Sequence, residues 1–313
     1  MNFLDRIVAA PVVEQPRAAR LRDYDWGRAV PFFAIHLLPL LAFYTGTRWQ
    51  DWAMCAFLYF VRMFGVTGGY HRYFAHRTFK TSRVFQFLLA FLAQSSVQKG
   101  ALWWAAHHRT HHKLSDHDGD PHDSRRGFWY SHVGWILDRT DGTDYRKIKD
   151  LAKYPELVFL NVFPHVASVT LGVAVYLLLG WSGLLIGFFL STVLLWHGTF
   201  TINSLAHMIG KPRYASNDAS KNSFVLALVT LGEGWHNNHH YFMGSTRQGF
   251  FWWEIDITYY VIRALGAVGL VWDIKEPPAR VYDPKHMLKN APAPAAELAD
   301  NPAPLSSVAP PLA

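Results

Sequence analysis

The sequence is short of cysteine and short of charge. Its one cysteine, Cys55, stands alone in an apolar run, which excludes a disulfide framework and any CxxC metal or redox site. Only 17% of the 313 residues are charged, against 50% hydrophobic and 16% aromatic with 13 Trp. That balance excludes an ordinary soluble enzyme of this size and points to a membrane protein. The net charge of +7 comes from basic residues spread along the chain rather than gathered in a block. An anionic leaflet or an acidic protein is therefore expected as partner, and nucleic acid is not. The first thirty residues have no apolar segment leading to a small-residue cleavage site, so no secretory signal is expected.

Histidine is what the chain has in excess: 17 residues, nine of them in four groups. The groups are His71 with His76; His108 with His111 and His112; Asn203 with His207; and His236 with His239 and His240. On a helix, HxxHH spacing places imidazoles at i, i+3 and i+4, within reach of one another. Two copies of that spacing argue for metal ligation. His71 and His76 lie about 140° apart around a regular helix, so the helix carrying them is expected to end or distort there.

Apolar runs order the rest. Residues 1–30 read as a cytoplasmic arm. Spans are expected at about 31–47, 51–69, 157–179 and 183–205, paired as two hairpins, the second turning at Gly180-Trp181-Ser182-Gly183. Val84 to Val97 is too short to cross and, by parity, stays on the side of the boxes; Ile257 to Trp272, which contains Arg263, reads as a helix lying on the interface or the cap. The short external connections contain only Arg48, whereas residues 70–156 hold 14 Lys and Arg, so the histidine side is cytoplasmic. The membrane domain is taken as 31–275 and the tail as 276–313, disordered from about 290, where Pro and Ala dominate. The fold expected is an all-α integral membrane protein with four transmembrane helices and a cytosolic helical cap holding a histidine-rich di-metal site.

Imidazole suits zinc, copper or iron. Nine histidines exceed the four ligands of one zinc and suit two metals with about four or five each. An apolar, lipid-accessible setting favours redox-active iron and oxidation of an unactivated hydrocarbon. Ligation needs neutral imidazole, so occupancy should fall in acid.

The set His71-x4-His76, His108-x2-His111-His112, Asn203-x3-His207 and His236-x2-His239-His240 resembles the membrane fatty acyl desaturases of the stearoyl-CoA, or Δ9, family, in a bacterial form. Supporting strings are Asp120-Pro121-His122-Asp123-Ser124-Arg125-Arg126-Gly127, Ser131-His132-Val133-Gly134-Trp135 and Gly232-Glu233-Gly234-Trp235-His236-Asn237. The resemblance covers about residues 30–275. It implies a four-span protein with a cytosolic cap and two non-haem irons. Such an enzyme uses O2 and two electrons to place a cis double bond in a saturated acyl chain, held as a CoA thioester or a lipid ester. By position the nine boxed histidines are the implied ligands, with Asn203 approaching one iron through water. Animal acyl-CoA desaturases have Arg-Asp just before the second box to help dock the carrier; here Ala106 and His107 stand there, and His107 is an extra imidazole. With no His-Pro-Gly-Gly haem motif in the chain, electrons are expected from a separate ferredoxin, rubredoxin or cytochrome b5 type of donor with its reductase. The location implied is multi-pass, in a bacterial inner membrane, with both termini and the site cytoplasmic.

Further candidates are Trp104, Arg125 and Arg126 for the substrate, and Asp120 and His122, which either meet the donor or head group or brace the cap. Cys55 and Tyr59, about 18–24 Å from His71 along a helix axis, sit where the methyl end of an acyl chain would stop, and Tyr59 is expected to limit its length. His36, His165 and His197 read as packed neutral histidines within spans, and Arg62 needs a polar partner. A di-iron hydroxylase would share the ligands but add oxygen; a divalent-metal transporter would place ligands near the bilayer midplane with acidic partners.

Overall fold

The computed structural model describes residues 25–138 and 142–288. Most of the expected N-terminal arm and all of the tail from residue 290 lie outside the described residues.

Helix boundaries follow the apolar runs and whatever interrupts them. Helix α1 (Trp26–Leu37) tightens into a 3-10 stretch, Leu38–Leu41, where Pro39 removes a donor, and ends at Thr45. The chain reverses through Gly46 into α2 (Trp49–Phe64). There Arg48 donates to Asp51 from both its backbone, 2.8 Å, and its guanidinium, 2.9 Å. The same guanidinium reaches the Leu179 carbonyl and so ties the tips of the two hairpins together.

The helix begun by α2 continues through Gly65–Ala75 in a π-helical form. His76 N–H donates to the His71 carbonyl, five residues back, at 3.2 Å. A turn closed at i+5 returns to nearly the same face after five residues. The distortion expected from the His71–His76 spacing is therefore a widening of the helix rather than its end. Glycine permits the packing: a Cβ on Gly65 would stand 3.0 Å from the Ala93 backbone.

Ala93 belongs to α3 (Arg83–Gln94), capped by Ser82. It buries Gln86, Leu89, Ala90 and Ala93 and exposes Val84 and Leu88. Helix α4 (Ala101–Leu114) carries the second box.

The apolar run at 157–179, expected as one span, is two helices. Pro164 disfavours helical backbone at the residue before it; Phe163 sits at φ −111°, ψ 73° and closes α5 (Pro155–Val162). Leu157, Val158 and Leu160 of α5 join Tyr70, Phe74 and Leu102 in the core beneath the second box. Helix α6 (Val166–Ser182) then runs alone to Gly180, whose φ of 71° breaks it. Only Gly180 leaves helical geometry, so the second hairpin turn is narrower than expected. A π-helical stretch, Gly183–Leu190, leads into α7 (Ser191–Asn203). Ser204 (φ −115°, ψ −75°) separates α7 from the single turn α8 (Leu205–Met208), so Asn203 and His207 do not share a continuous helix face.

Among the described residues, Trp49–Ala75 and Val166–Met208 are long and apolar enough to cross a membrane, and Ala29–Thr45 is a shorter apolar helix. Helices α2, α6 and α7 pack around Gly183–Leu190. At their centre Arg62 is fully buried. It donates to the carbonyls of Leu58, Phe188 and Ser95 and to the hydroxyls of Thr192 and Ser191. All five of its N–H groups meet neutral oxygens, and they clasp α2, the end of α3 and α7 together.

The rest is short: α9 (Phe224–Val229), α10 (His236–Tyr241) and α11 (Ile257–Ala267). Strands β1 (Lys80–Thr81) and β2 (Val271–Trp272) pair antiparallel. Arg263 of α11 pairs with Glu276 at 3.2 Å.

Candidate metal centre

The nine boxed histidines meet in two abutting groups: His71, His76, His108, His112 and His239; and His111, His207, His236 and His240. Helical geometry explains how each HxxHH box is shared. Residues four apart differ by about 40° around a helix, and residues three apart by about 60° in the opposite sense. On α4, His108 and His112 therefore face the first group and His111 the second. On α10 the arrangement is mirrored, with His236 and His240 in the second group and His239 in the first. Rings touch across the divide, His112 against His240 at 4.5 Å between centroids.

In the first group Nε2 atoms approach one another: His71 to His239 at 3.0 Å, and His76 to His108, His108 to His112 and His112 to His239 at 2.9 Å each. A neutral imidazole nitrogen offers one proton or one lone pair. Five nitrogens linked by four contacts can thus form two hydrogen bonds at most, and one nitrogen stays unpaired. A shared cation would satisfy all five. Two nitrogens held at right angles about an ion at about 2.1 Å stand about 3.0 Å apart, and two in tetrahedral positions about 3.4 Å. The spacing and the number of donors fit a five- or six-coordinate transition metal better than tetrahedral zinc. In the second group His207 and His236 approach at 3.0 Å, and the Nε2 atoms of His111 and His240 are buried without a partner.

Carboxylates stand behind the imidazoles and face Nδ1. His71 meets Glu233 at 2.5 Å, His111 meets Asp120 at 2.9 Å, His207 meets Asp116 at 2.8 Å and His240 meets Asp218 at 2.6 Å. A carboxylate beside Nδ1 favours the tautomer that carries its proton there and leaves the Nε2 lone pair free, an arrangement that orients metal ligands. Burial first, and neighbouring imidazoles second, push His76, His108, His112, His239, His111 and His236 well below the usual histidine range, so they are neutral. Burial would raise Glu233, but His71 and Arg72 hold it below its ordinary value. Burial opposes the same shift in Asp116 and Asp218, which His207 and His240 respectively hold well below the usual range.

Sequence reasoning missed three of these four acids as partners. Glu233, three residues before His236, and Asp116, four after His112, were legible by proximity to a box. Asp218 carries no such signal. Arg72 is equally hidden: fully buried, it bridges Glu233 at 3.0 Å and Asp256 at 2.8 Å and pins the first box to the fourth.

A cavity reaches both groups. Its walls are Met63, Val66 and Thr67 from the α2 side, Thr199, Ile202 and Asn203 from α7, and Trp104 and Thr230; His71, His108, His111, His236 and Glu233 close its head. Trp104, expected as a substrate contact, and Asn203, expected to approach a metal through water, both line this cavity. Tyr59 lies next to this cavity, one turn from Met63. Cys55 does not line it; it packs against Ala42, Leu185 and Ile186 between helices. Arg125 and Arg126 are also away from it: Arg125 pairs with Asp123 and Asp118, and Arg126 covers the Tyr130 ring.

The remaining histidines fall outside the two groups. His107 stacks on Trp103 at 4.1 Å and bonds its carbonyl, on the outer side of α4; burial pushes it down to about 4. The His122 ring leans against that of His111, 4.1 Å between centroids and tilted by 37°, so with Asp120 it braces a boxed imidazole. His36 and His197 pair with each other at 3.1 Å, and His197 pairs with His132 at 3.0 Å. His165 is exposed at the start of α6.

These features define a mostly helical protein whose long apolar helices end at paired imidazole clusters beside an apolar cavity. The chain belongs to the fatty acid desaturase family, whose model matches residues 47–272, and it is an oxidoreductase of that family. It is 38% identical over 253 residues to the sn-1 stearoyl-lipid 9-desaturase of Synechocystis sp., covering 79% of each chain. It is 34% identical to the sn-2 palmitoyl-lipid 9-desaturase of Nostoc sp., over 84% of this chain and 94% of the relative. To the chloroplastic palmitoyl-monogalactosyldiacylglycerol delta-7 desaturase of Arabidopsis thaliana it is 35% identical, over 81% of this chain and 69% of the relative.

Proposed function

We propose that this protein is an acyl-lipid desaturase that places a cis double bond, at the Δ9 position, in a saturated chain esterified in a membrane lipid. The observation that carries the reading is the assembly of nine imidazoles, in groups of five and four, at the head of an apolar cavity. The three relatives are desaturases of lipid-bound acyl chains, which favours lipid esters over thioesters.

The nine boxed histidines would hold two irons. That pair, when reduced in the presence of O2, supplies the oxidising power to remove two hydrogens from adjacent methylenes. The chain's residues do the rest. Met63, Val66 and Ile202 give the acyl chain an apolar bed that excludes water. Trp104 closes that bed beside His71 and His108, the ring of His108 lying 4.7 Å from that of Trp104. The Asn203 amide, at the end of α7 and lining the same cavity, would hold a water at one iron. Glu233, Asp116, Asp120 and Asp218 keep four imidazoles oriented with their lone pairs inward.

The apolar segments 26–45, 49–75, 166–179 and 181–208 are read as four spans, with the boxes and both termini on the cytosolic side of an inner membrane. The membrane domain runs over 31–275, and electrons arrive from a separate carrier. Tyr59, beyond Met63, sets the far limit for the methyl end.

Lipid mass spectrometry on cells expressing the chain and its His111→Ala variant tests the reading, with metal analysis of both purified proteins. New monounsaturated lipids that vanish in the variant, with about two irons per wild-type chain, are expected. Hydroxylated chains instead would replace desaturation by hydroxylation.

A further inference from the structure

The cavity has a weak flank. Between α2 and α7, a side chain is missing on one side: a Cβ at Gly198 would lie 2.9 Å from the Tyr59 hydroxyl and 2.9 Å from the Met63 methyl. The half-exposed Tyr59 ring fills that gap, with cavity-lining Met63 behind it and the exposed Phe60 next to it. The Tyr59 hydroxyl donates to the Val229 carbonyl at 2.7 Å. Val229 ends α9, which packs on α7 and whose next residue, Thr230, lines the cavity. The outward face of α9 is Phe224, Val225, Leu228 and Val229, exposed by 40–68%, while Leu226 and Ala227 are buried. An apolar outer face beside long apolar helices suits lipid rather than water.

We propose that Tyr59 and α9 form a side door between the cavity and the bilayer, latched by the Tyr59–Val229 hydrogen bond. Through it the acyl chain of a glycerolipid slides in sideways while its head group stays in the membrane. This inference deepens the acyl-lipid reading and rests on it. A lipid ester cannot present its chain from water as a soluble thioester can, so it needs a lateral entrance. Breaking one hydrogen bond and turning one ring opens it.

The test uses the full chain in phosphatidylcholine vesicles whose sn-1 acyl chain carries a mid-chain diazirine. After irradiation, adducts are expected on Met63 and Ile202. Tyr59→Phe, which keeps the ring and removes the latch, should raise these adducts several-fold. A Tyr59→Cys, Val229→Cys pair in a Cys55→Ser background, bridged by a short bis-methanethiosulfonate that loses a sulfinate to each thiol, should abolish them, and reductive cleavage of the bridge should restore them. A diazirine stearoyl-CoA should label the cavity whether or not the bridge is in place. Adducts confined to exposed Phe57 and Phe60, or cavity labelling unaffected by the bridge, would overturn the door. Labelling needs no turnover, so a correctly labelled protein that makes no double bond would count against the desaturase reading and leave the door standing.

Discussion

The two imidazole groups share the second and fourth boxes yet differ in what surrounds them. The first has five nitrogens and one carboxylate, Glu233, behind them; the second has four nitrogens and three carboxylates, Asp116, Asp120 and Asp218. Where a ligand is missing, negative charge is added close behind the remaining ones. A carboxylate on Nδ1 raises the basicity of the imidazole, so the four-histidine group offsets its smaller number with stronger donors. Both groups reach the cavity, the first through His71 and His108 and the second through His111 and His236, so the difference lies in ligand number and charge. The five-histidine group reads as the better anchored position and the four-histidine group as the more open one.

Ligand deletion should give the largest effect and the sharpest test of that contrast. Both His76→Ala and His240→Ala should lose more than about 100-fold in desaturation, since even partners behind a ligand are worth roughly 10–100-fold. Metal content should separate them. His240→Ala leaves three imidazoles and should fall to about one iron per chain, whereas His76→Ala leaves four and should retain close to two, bound more weakly. Equal metal loss in both variants would erase the distinction.

A smaller effect follows from the carboxylates themselves. Asp218→Asn should weaken iron at the four-histidine group by roughly 10–100-fold, read by chelator competition. Glu233→Gln should weaken the other group less, because four of its five imidazoles keep their setting. It should instead destabilise the metal-free fold by about 1.5–3 kcal/mol, since Arg72 keeps Asp256 but loses a charged hydrogen-bond partner. An Asp218 variant with unchanged metal affinity would show that the extra acids do not compensate for the missing ligand.

How much of this the sequence discloses depends on how local the cause is. The HxxHH spacing specifies which imidazoles can share a helix face, and the five-residue spacing of His71 and His76 demands a distorted helix. Both are consequences of a few neighbouring residues. Pro164 splitting the third apolar run is equally local and was there to be read in the X-Pro restriction at Phe163. The division of nine histidines into five and four is not local, because it depends on how α4 and α10 face each other across the site. The same holds for Asp218 behind His240, for the oxygens around Arg62, which come from three helices, and for Tyr59 meeting a carbonyl 170 residues away. Cys55 was expected at the substrate from its depth along α2, but its rotation about the helix turns it into the packing with Leu185 and Ile186, which position along the chain does not disclose.

Acid should reveal the contrast at its mildest, in the stability of the metal-free protein. His108, His112 and His239 are pushed below their ordinary values by burial and, after it, by neighbouring imidazoles, while an unfolded histidine titrates near 6.5. As pH falls through that value the unfolded chain takes up protons that the folded one does not, so stability drops. Asp116 and Asp218 are held low by their imidazole partners, and their contribution, present above the unfolded value near 3.9, is lost only as pH falls below it. Urea midpoints of chelator-treated protein in detergent should therefore decline in two limbs, one beginning near pH 6.5 and a steeper one below about pH 4. Asp218→Asn should leave the upper limb intact and flatten the lower. If it flattened the upper limb instead, the imidazoles of the two groups would be protonating as one array, and the carboxylates would belong to both.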